Sequence, residues 1–375
     1  MTARLVLPIV SPIVSPIVIS IGLCGCVVLA ACGARPDPVA LPRSEDRVAF
    51  IASERGPGGA QLVAIDAHGD RQHQLLAVAP AMVRDTNPTL DPDGRWIVFA
   101  SSRDRPLDQT SLWIAPIGVE VTPVRLTFGP SIESHPTWTR DGSAIVYAST
   151  RDGGDFDLWR QPITNGRAVG EPLQLTNGPE QEVTPTVARD GTVIYAAVTA
   201  LPDHQVESHL EQRAPDGTIT RISDQVGDAS PALSPDETQI AFSRIGISRD
   251  RVNNELWIMR RSDRKAELVI DLPITEESGP VWSPDGTYLF ATSVLRGDAL
   301  VQRAMFSSVI YVDLVERPRR ARMLKDHAGG IVRLTPAILA RKLDVAALRA
   351  NPEYVPELAR IMSDLIDAAK LDGPP

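Results

Sequence analysis

Residues Pro88–Phe99 read PTLDPDGRWIVF, and four later stretches repeat the pattern. Pro136–Tyr147 read PTWTRDGSAIVY, Pro185–Tyr195 PTVARDGTVIY, Pro231–Phe242 PALSPDETQIAF and Pro280–Phe290 PVWSPDGTYLF. The leading prolines lie 48, 49, 46 and 49 residues apart. So regular a period signals a repeat architecture, in which stacked copies of one supersecondary unit bury a continuous core. Within each copy an apolar run, a turn and a second apolar run predict an antiparallel hairpin. Asp-Gly supplies the positive φ that a tight hairpin turn demands. The fourth copy has Asp236–Glu237 instead, which predicts a wider or more strained turn.

A third strand follows each hairpin, at Leu112–Ala115, Leu158–Gln161, Leu210–Arg213, Leu256–Met259 and Ile310–Asp313. A fourth follows in most copies, as at Val124–Thr127 and Leu173–Thr176. Four short strands per repeat of this length describe a propeller blade. The aromatic residues Trp113, Trp159, Trp257 and Tyr311 recur at one third-strand position, where large side chains fill the wedge between blades.

The order P-x-W-S-P-D-G-x-x-I-x-F, then S-x-R-D, L-W and R-L-T, resembles the WD40-like propeller repeat of the TolB family. The likeness runs over about residues 47–340 and implies an all-β fold. It implies little about activity, because one propeller scaffold serves many unrelated functions.

The opening repeat is out of phase. Arg47–Ser53 matches a second strand, Gln61–Asp66 a third and Gln72–Val78 a fourth, leaving the innermost strand unaccounted for. Thr335–Leu339, TPAIL, mimics the start of the other copies and is expected to supply it. The expected fold is therefore an all-β, six-bladed propeller of four-stranded antiparallel blades, spanning 47–340 and closed by a C-terminal strand with no open sheet edge. Residues 341–375 carry Pro356 at a first-turn position and Val355, Leu358, Ile361, Met362, Leu365 and Ala369 at helical spacing. They predict a short α-helical tail.

At the other end, Arg4 precedes an apolar stretch from Leu5 to Ala31 that closes on Leu29-Ala30-Ala31-Cys32. This has the regions of a secretory signal, and the final four residues resemble the bacterial lipobox. The resemblance implies a leader over 1–31, lipidation of Cys32 and a tether over 32–46. A retained transmembrane helix is the other reading, although Pro8, Pro12 and Pro16 break its first half. Cys24 and Cys26 fall in the leader, so neither a disulfide nor a cysteine-based metal site is expected in the mature chain. Gly33 after the lipobox resembles a signal for sorting to an outer membrane, in a cell that has one. The expected location is the cell envelope, anchored by lipid and facing the periplasm or the cell surface.

The formal charge of −9 does not recommend nucleic acid as a partner. No G-x-S-x-G, H-E-x-x-H, Walker-type or dinucleotide-binding motif is present, so no catalytic residue is assigned. The six histidines show no ligand spacing. His204 and His209 read as solvated residues of one long loop, and neither a metal nor a cofactor is expected; a divalent cation in the channel has no motif behind it.

One constellation stands out. Three residues before each anchoring proline lies a carboxylate: Asp85, Glu133, Glu182, Asp228 and Glu277, with Arg333 at the proposed sixth position. Equivalent positions of a propeller face one another around the channel mouth, where like charge concentrates cations or basic segments. The same residues also fit a structural role, capping their own turns or pairing with Arg103 and Arg151 of S-x-R-D. The second-to-third-strand connections lengthen at Thr199–Ser208, Arg244–Glu255 and Val294–Val309. Irregular insertions on one face of a repeat scaffold are where recognition sits, with Arg244, Arg249 and Arg251 as candidate partner contacts. Two functions follow: a non-catalytic scaffold that binds another envelope protein, or a propeller enzyme or small-ligand sensor at the acidic mouth.

Overall fold

In a computed structural model the innermost strand of every full repeat is broken at the same place. The structure describes residues 48–56, 59–66, 71–79, 82–201, 206–248, 251–272, 275–295, 307–323 and 337–338, all within one compact unit. The chain opens with β1 (Val48–Gly56), β2 (Gly59–Asp66) and β3 (Arg71–Gln74). Next come β4 (Val83–Leu90), β5 (Trp96–Ser101), β6 (Ser111–Pro116) and β7 (Val124–Arg125). The following repeat contributes β8 (Glu133–Trp138), β9 (Ala144–Ser149), β10 (Asp157–Thr164), β11 (Arg167–Ala168) and β12 (Leu173–Gln174). Then come β13 (Gln181–Val187), β14 (Val193–Ala200), β15 (Val206–Arg213) and β16 (Ile219–Arg221). The fourth repeat is β17 (Asp228–Leu233), β18 (Gln239–Ser248), β19 (Arg251–Arg260) and β20 (Ala266–Ile270). The fifth is β21 (Thr275–Trp282), β22 (Tyr288–Leu295), β23 (Ser307–Asp313) and β24 (Ala321–Met323), and β25 (Ala337–Ile338) ends the described chain.

The fold is an all-β propeller. The repeat count predicts six blades, and the structure shows five sheets. The difference lies at the start of the chain. Gly59 and Ala60 of β2 pair in parallel with Val83 and Arg84 of β4, which fuses the opening strands with the next repeat. The resulting eight-stranded sheet has the order β25-β1-β2-β4-β5-β6-β7, with β3 on β2. Ala337 and Ile338 pair antiparallel with Ile51 and Phe50 at one edge of that sheet. The expected helical tail, 341–375, lies outside the described residues, as do the leader and the tether. Among the described residues no helix is long and apolar enough to cross a membrane.

The break is a β-bulge before the anchoring proline. Register shifts between Thr86 and Thr89, Ser134 and Thr137, Val183 and Thr186, Ala229 and Ala232, and Ser278 and Val281. The residue just before each proline is left-handed: Asn87 (φ 51°), His135 (48°), Thr184 (53°), Ser230 (53°) and Gly279 (61°). A bulge leaves its extra residue out of the ladder and bends the strand. The proline therefore stands where no ladder donor is needed, which reconciles it with an inner strand. All five prolines are buried.

The turns between the first and second strands of the repeats are not two-residue hairpins. Each is a wider loop with one left-handed residue, as at Gly94 (φ 67°), Gly142 (69°), Gly191 (87°) and Gly286 (71°). In the last, Ser283 Oγ donates to Asp285 Oδ1 (2.6 Å) and accepts from Tyr288 N (2.9 Å). The fourth repeat keeps the same turn, since Glu237 N donates to Ser234 O at 2.9 Å as Gly286 N does to Ser283 O. Glu237 takes φ 61° to do so, so the turn is strained rather than wider, by about 1 kcal/mol.

The last residue of each motif forms the core. Phe99, Tyr147, Tyr195, Phe242 and Phe290 are all 0% exposed, each contributing roughly 1.5–3 kcal/mol by burial. The recurrent tryptophans pack across repeats. Trp113 shares one apolar cluster with Ile51, Leu62 and Ala64 of the opening strands, and Trp159 shares another with Val98, Leu112 and Ile114.

Candidate functional site

Sheet order fixes which groups share an end of each blade. The first strand starts at one end, the second returns to it, and the second-to-third connection leaves from there. The five carboxylates stand at that end, and register makes them equivalent. Asp85 lies opposite Ser101, Glu133 opposite Ser149, Glu182 opposite Ala197, Asp228 opposite Arg244 and Glu277 opposite Ser293.

All five are buried, at 0–4% exposure, and each is held within its own neighbourhood. Arg103 Nη2 donates to Asp85 Oδ2 at 2.8 Å, and Ser101 Oγ donates to Oδ1. Burial nonetheless pushes the Asp85 carboxyl up, against the pull of Arg103. Arg151 Nη2 donates to Glu133 Oε1 at 3.2 Å. Arg244 makes a two-pronged contact with Asp228, Nε to Oδ1 at 2.6 Å and Nη2 to Oδ2 at 2.8 Å. The arginines are sandwiched: Arg151 lies 5.3 Å from the Trp159 ring centre and Arg244 4.5 Å from that of Trp257. A carboxylate, an arginine and a third-strand tryptophan thus form one repeated unit.

Among the described residues Glu182 and Glu277 have no such arginine: neither repeat carries S-x-R-D, and Ala197 and Ser293 stand where Arg244 stands opposite Asp228. Glu277 accepts from Ser293 Oγ (3.1 Å), while its Oε2 is buried without a donor. Burial pushes it up to about 7. Glu182 accepts from Thr176 Oγ1 at 3.2 Å and lies against Asp157. Burial, then hydrogen bonding to the Asp157 carboxyl, pushes Glu182 up, and burial raises Asp157 as well.

The candidate partner residues fare differently. Arg244 is committed to Asp228 and the aromatic rings rather than presented to solvent. Arg251 opens β19, opposite Ser248. Cys32, Arg249 and Arg333 lie outside the described residues. The Arg244–Glu255 connection is a paired ribbon rather than a loop: β18 and β19 pair over ten positions, against six for β5 with β6, whereas most of Val294–Val309 lies outside the described residues. His209 also departs from its loop reading. It stands within β15, opposite Ala197, with its side chain 13% exposed.

The pre-proline residues were not singled out by sequence reasoning, although a polar residue or glycine before every anchoring proline was the available signal. His135 is one of them; burial, then the Arg84 charge, lowers its imidazole to about 4. It is neutral at pH 7 and shares a hydrogen bond with Ser134 Oγ through Nδ1.

No protein-family model and no curated protein matches the chain. Solved structures do match. TolB from Acinetobacter baumannii superposes with a TM-score of 0.58 at 15% identity, covering 79% of this chain and 67% of that one. A TolB candidate from Agrobacterium tumefaciens gives 0.52 at 18%, covering 76% and 90%. A chain of the nidogen/laminin complex gives 0.54 at 10%, covering 79% and 99%. At these identities the likeness concerns the backbone and not the chemistry. The fold of the chain is that of the TolB-type β-propeller.

Proposed function

We propose that the chain is a non-catalytic, protein-binding scaffold of the cell envelope, held to a membrane by lipid on Cys32. The observation that carries the binding role is the β18–β19 ribbon. It runs four residue pairs beyond β5–β6, at the blade end where the first strands begin. A regular scaffold has no packing reason to extend one ribbon past its neighbours, and projecting irregular segments are where such folds meet partners. Ile245, at the base of the extension, is 41% exposed. The nidogen/laminin match, taken from a protein–protein complex, supports a binding use of the fold. Arg251, paired with Ser248 at the far end of the described ribbon, and Arg249, outside the described residues, are the candidate contacts for an acidic partner surface.

The test is crosslinking in the native membrane, comparing the intact chain with one in which an Asn-Gly turn replaces Gly246–Asn253. The shortened ribbon is expected to melt with the intact protein and lose its crosslinked partner. An unchanged set of crosslinks overturns the reading. Cys32→Ser is expected to move the protein to the soluble fraction and abolish its palmitate label. The second reading, a ligand- or cation-binding propeller, rests on the departures of the β13–β16 repeat from the pattern of the others.

A further inference from the structure

The β13–β16 repeat breaks the pattern at two positions, and those positions meet at a histidine. Register places Glu211 opposite Tyr195, where the other repeats set Trp113, Trp159, Trp257 and Tyr311 opposite Phe99, Tyr147, Phe242 and Phe290. Two residues earlier stands His209, matching Ser111, Asp157, Glu255 and Val309. Two residues before the ring carboxylate stands Glu180, matching Val83, Ser131, Val226 and Thr275. Repeats copy the scaffold, so two carboxylates departing from it beside one histidine need a local cause.

We propose that Glu180, His209 and Glu211 form a site for a first-row divalent metal ion such as Zn2+, with coordination positions left for water or a partner's donor group. This goes beyond the scaffold reading and does not depend on it. One ligand atom from each residue lies within 4.8 Å of the other two. His209 Nε2 is 3.2 Å from Glu211 Oε1 and 3.9 Å from Glu180 Oε2. Metal–ligand bonds of 2.0–2.1 Å in a tetrahedral site set the ligand atoms about 3.3 Å apart. Closing on an ion takes about half an ångström between His209 and Glu180 and at most about 1.5 Å between the two glutamates.

The outer oxygens are already anchored. Tyr195 Oη donates to Glu211 Oε2 at 2.8 Å and Thr199 Oγ1 to Glu180 Oε1 at 2.7 Å, leaving the inner oxygens to face the imidazole. Hydroxyl groups that orient ligands in this way are the usual outer shell of a metal site. The surroundings are short of positive charge. Glu182 and Asp157 lie beside the site, and Asp157 Oδ1 is buried with no donor. Arg213 spends its Nε on Leu175 O and Nη1 on Ala214 O. An imidazole nitrogen with two carboxylates selects Zn2+, Mn2+ or Co2+ over Ca2+ and Mg2+. Glu180, with its side chain 27% exposed, opens the site to solvent, so a fourth position remains for an exchangeable ligand.

Calorimetric titration of the full chain with ZnCl2 is expected to show one saturable site. His209→Ala and Glu211→Gln are each expected to weaken it at least 100-fold, and Thr199→Val about tenfold, whereas the remote Glu171→Gln leaves it unchanged. CaCl2 is expected to give no saturable binding. Should a variant fail to fold, the wild type still decides the matter: Zn2+ is expected to protect His209 from diethyl pyrocarbonate, read by peptide mass. Absence of a saturable site overturns the proposal, as does binding that survives both ligand substitutions. Equal modification of His209 with and without Zn2+ also overturns it.

Discussion

Arg244 grips Asp228 through two hydrogen bonds, at 2.6 and 2.8 Å, while its guanidinium lies over the ring of Trp257. The carboxylate is 0% exposed and the arginine side chain 13%, so neither charge has water to fall back on. Removing one partner of such a pair strands the other. Arg244→Ala is expected to cost about 3–5 kcal/mol in urea unfolding. Arg151→Ala is expected to cost less, because Arg151 makes one longer contact at 3.2 Å and is 27% exposed.

Glu277 makes stability depend on pH. Burial raises its carboxyl from the ordinary 4.5 to about 7, so the folded protein holds a proton that the unfolded chain has released. Its contribution is fully present below pH 4.5 and is lost as pH rises toward 7, by up to about 1.4 kcal/mol per unit. Glu277→Gln keeps a neutral side chain throughout. Unfolding measured from pH 4.5 to 7.5 is expected to show a shallower decline for this variant than for the wild type.

Two glycines with similar φ are expected to respond differently to alanine. A Cβ on Gly94 (φ 67°) meets nothing within 4 Å, so Gly94→Ala costs only its left-handed backbone, about 1 kcal/mol. A Cβ on Gly166 (φ 70°) falls 2.5 Å from Cη2 of Trp96. Gly166→Ala must displace that ring as well, and its midpoint in denaturant is expected to fall further.

A chain ending at Lys325 lacks β25 and leaves Phe50 and Ile51 without their edge partner. Its melting temperature is expected to drop. Hydrogen exchange is expected to speed up at these two amides while β17–β20 keeps its protection.

Most of the fold was legible in the sequence, because its period is carried by residues whose roles are local. The prolines mark a bulge, the glycines a left-handed turn, and the terminal aromatic of each motif a fully buried position. The blade count was not. It turns on a two-residue parallel contact, Gly59–Ala60 with Val83–Arg84, and such main-chain pairing leaves no side-chain signature. The carboxylate ring was visible as a spacing, but which carboxylates are neutralised depended on reading Arg103, Arg151 and Arg244 against their absence near Glu182 and Glu277. His209 was misplaced because Pro202 and Asp203 suggest a long loop, whereas β15 begins as early as Val206.

The contact between β2 and β4 is close enough that a Cβ on Gly59 would lie 1.8 Å from the carbonyl oxygen of Val83. One added methyl group therefore pries open the seam between the chain's first strands and everything after them. Residue 59 is in that sense a latch, and a mutational scan should find it intolerant even of alanine although no ligand, charge or catalytic group lies there.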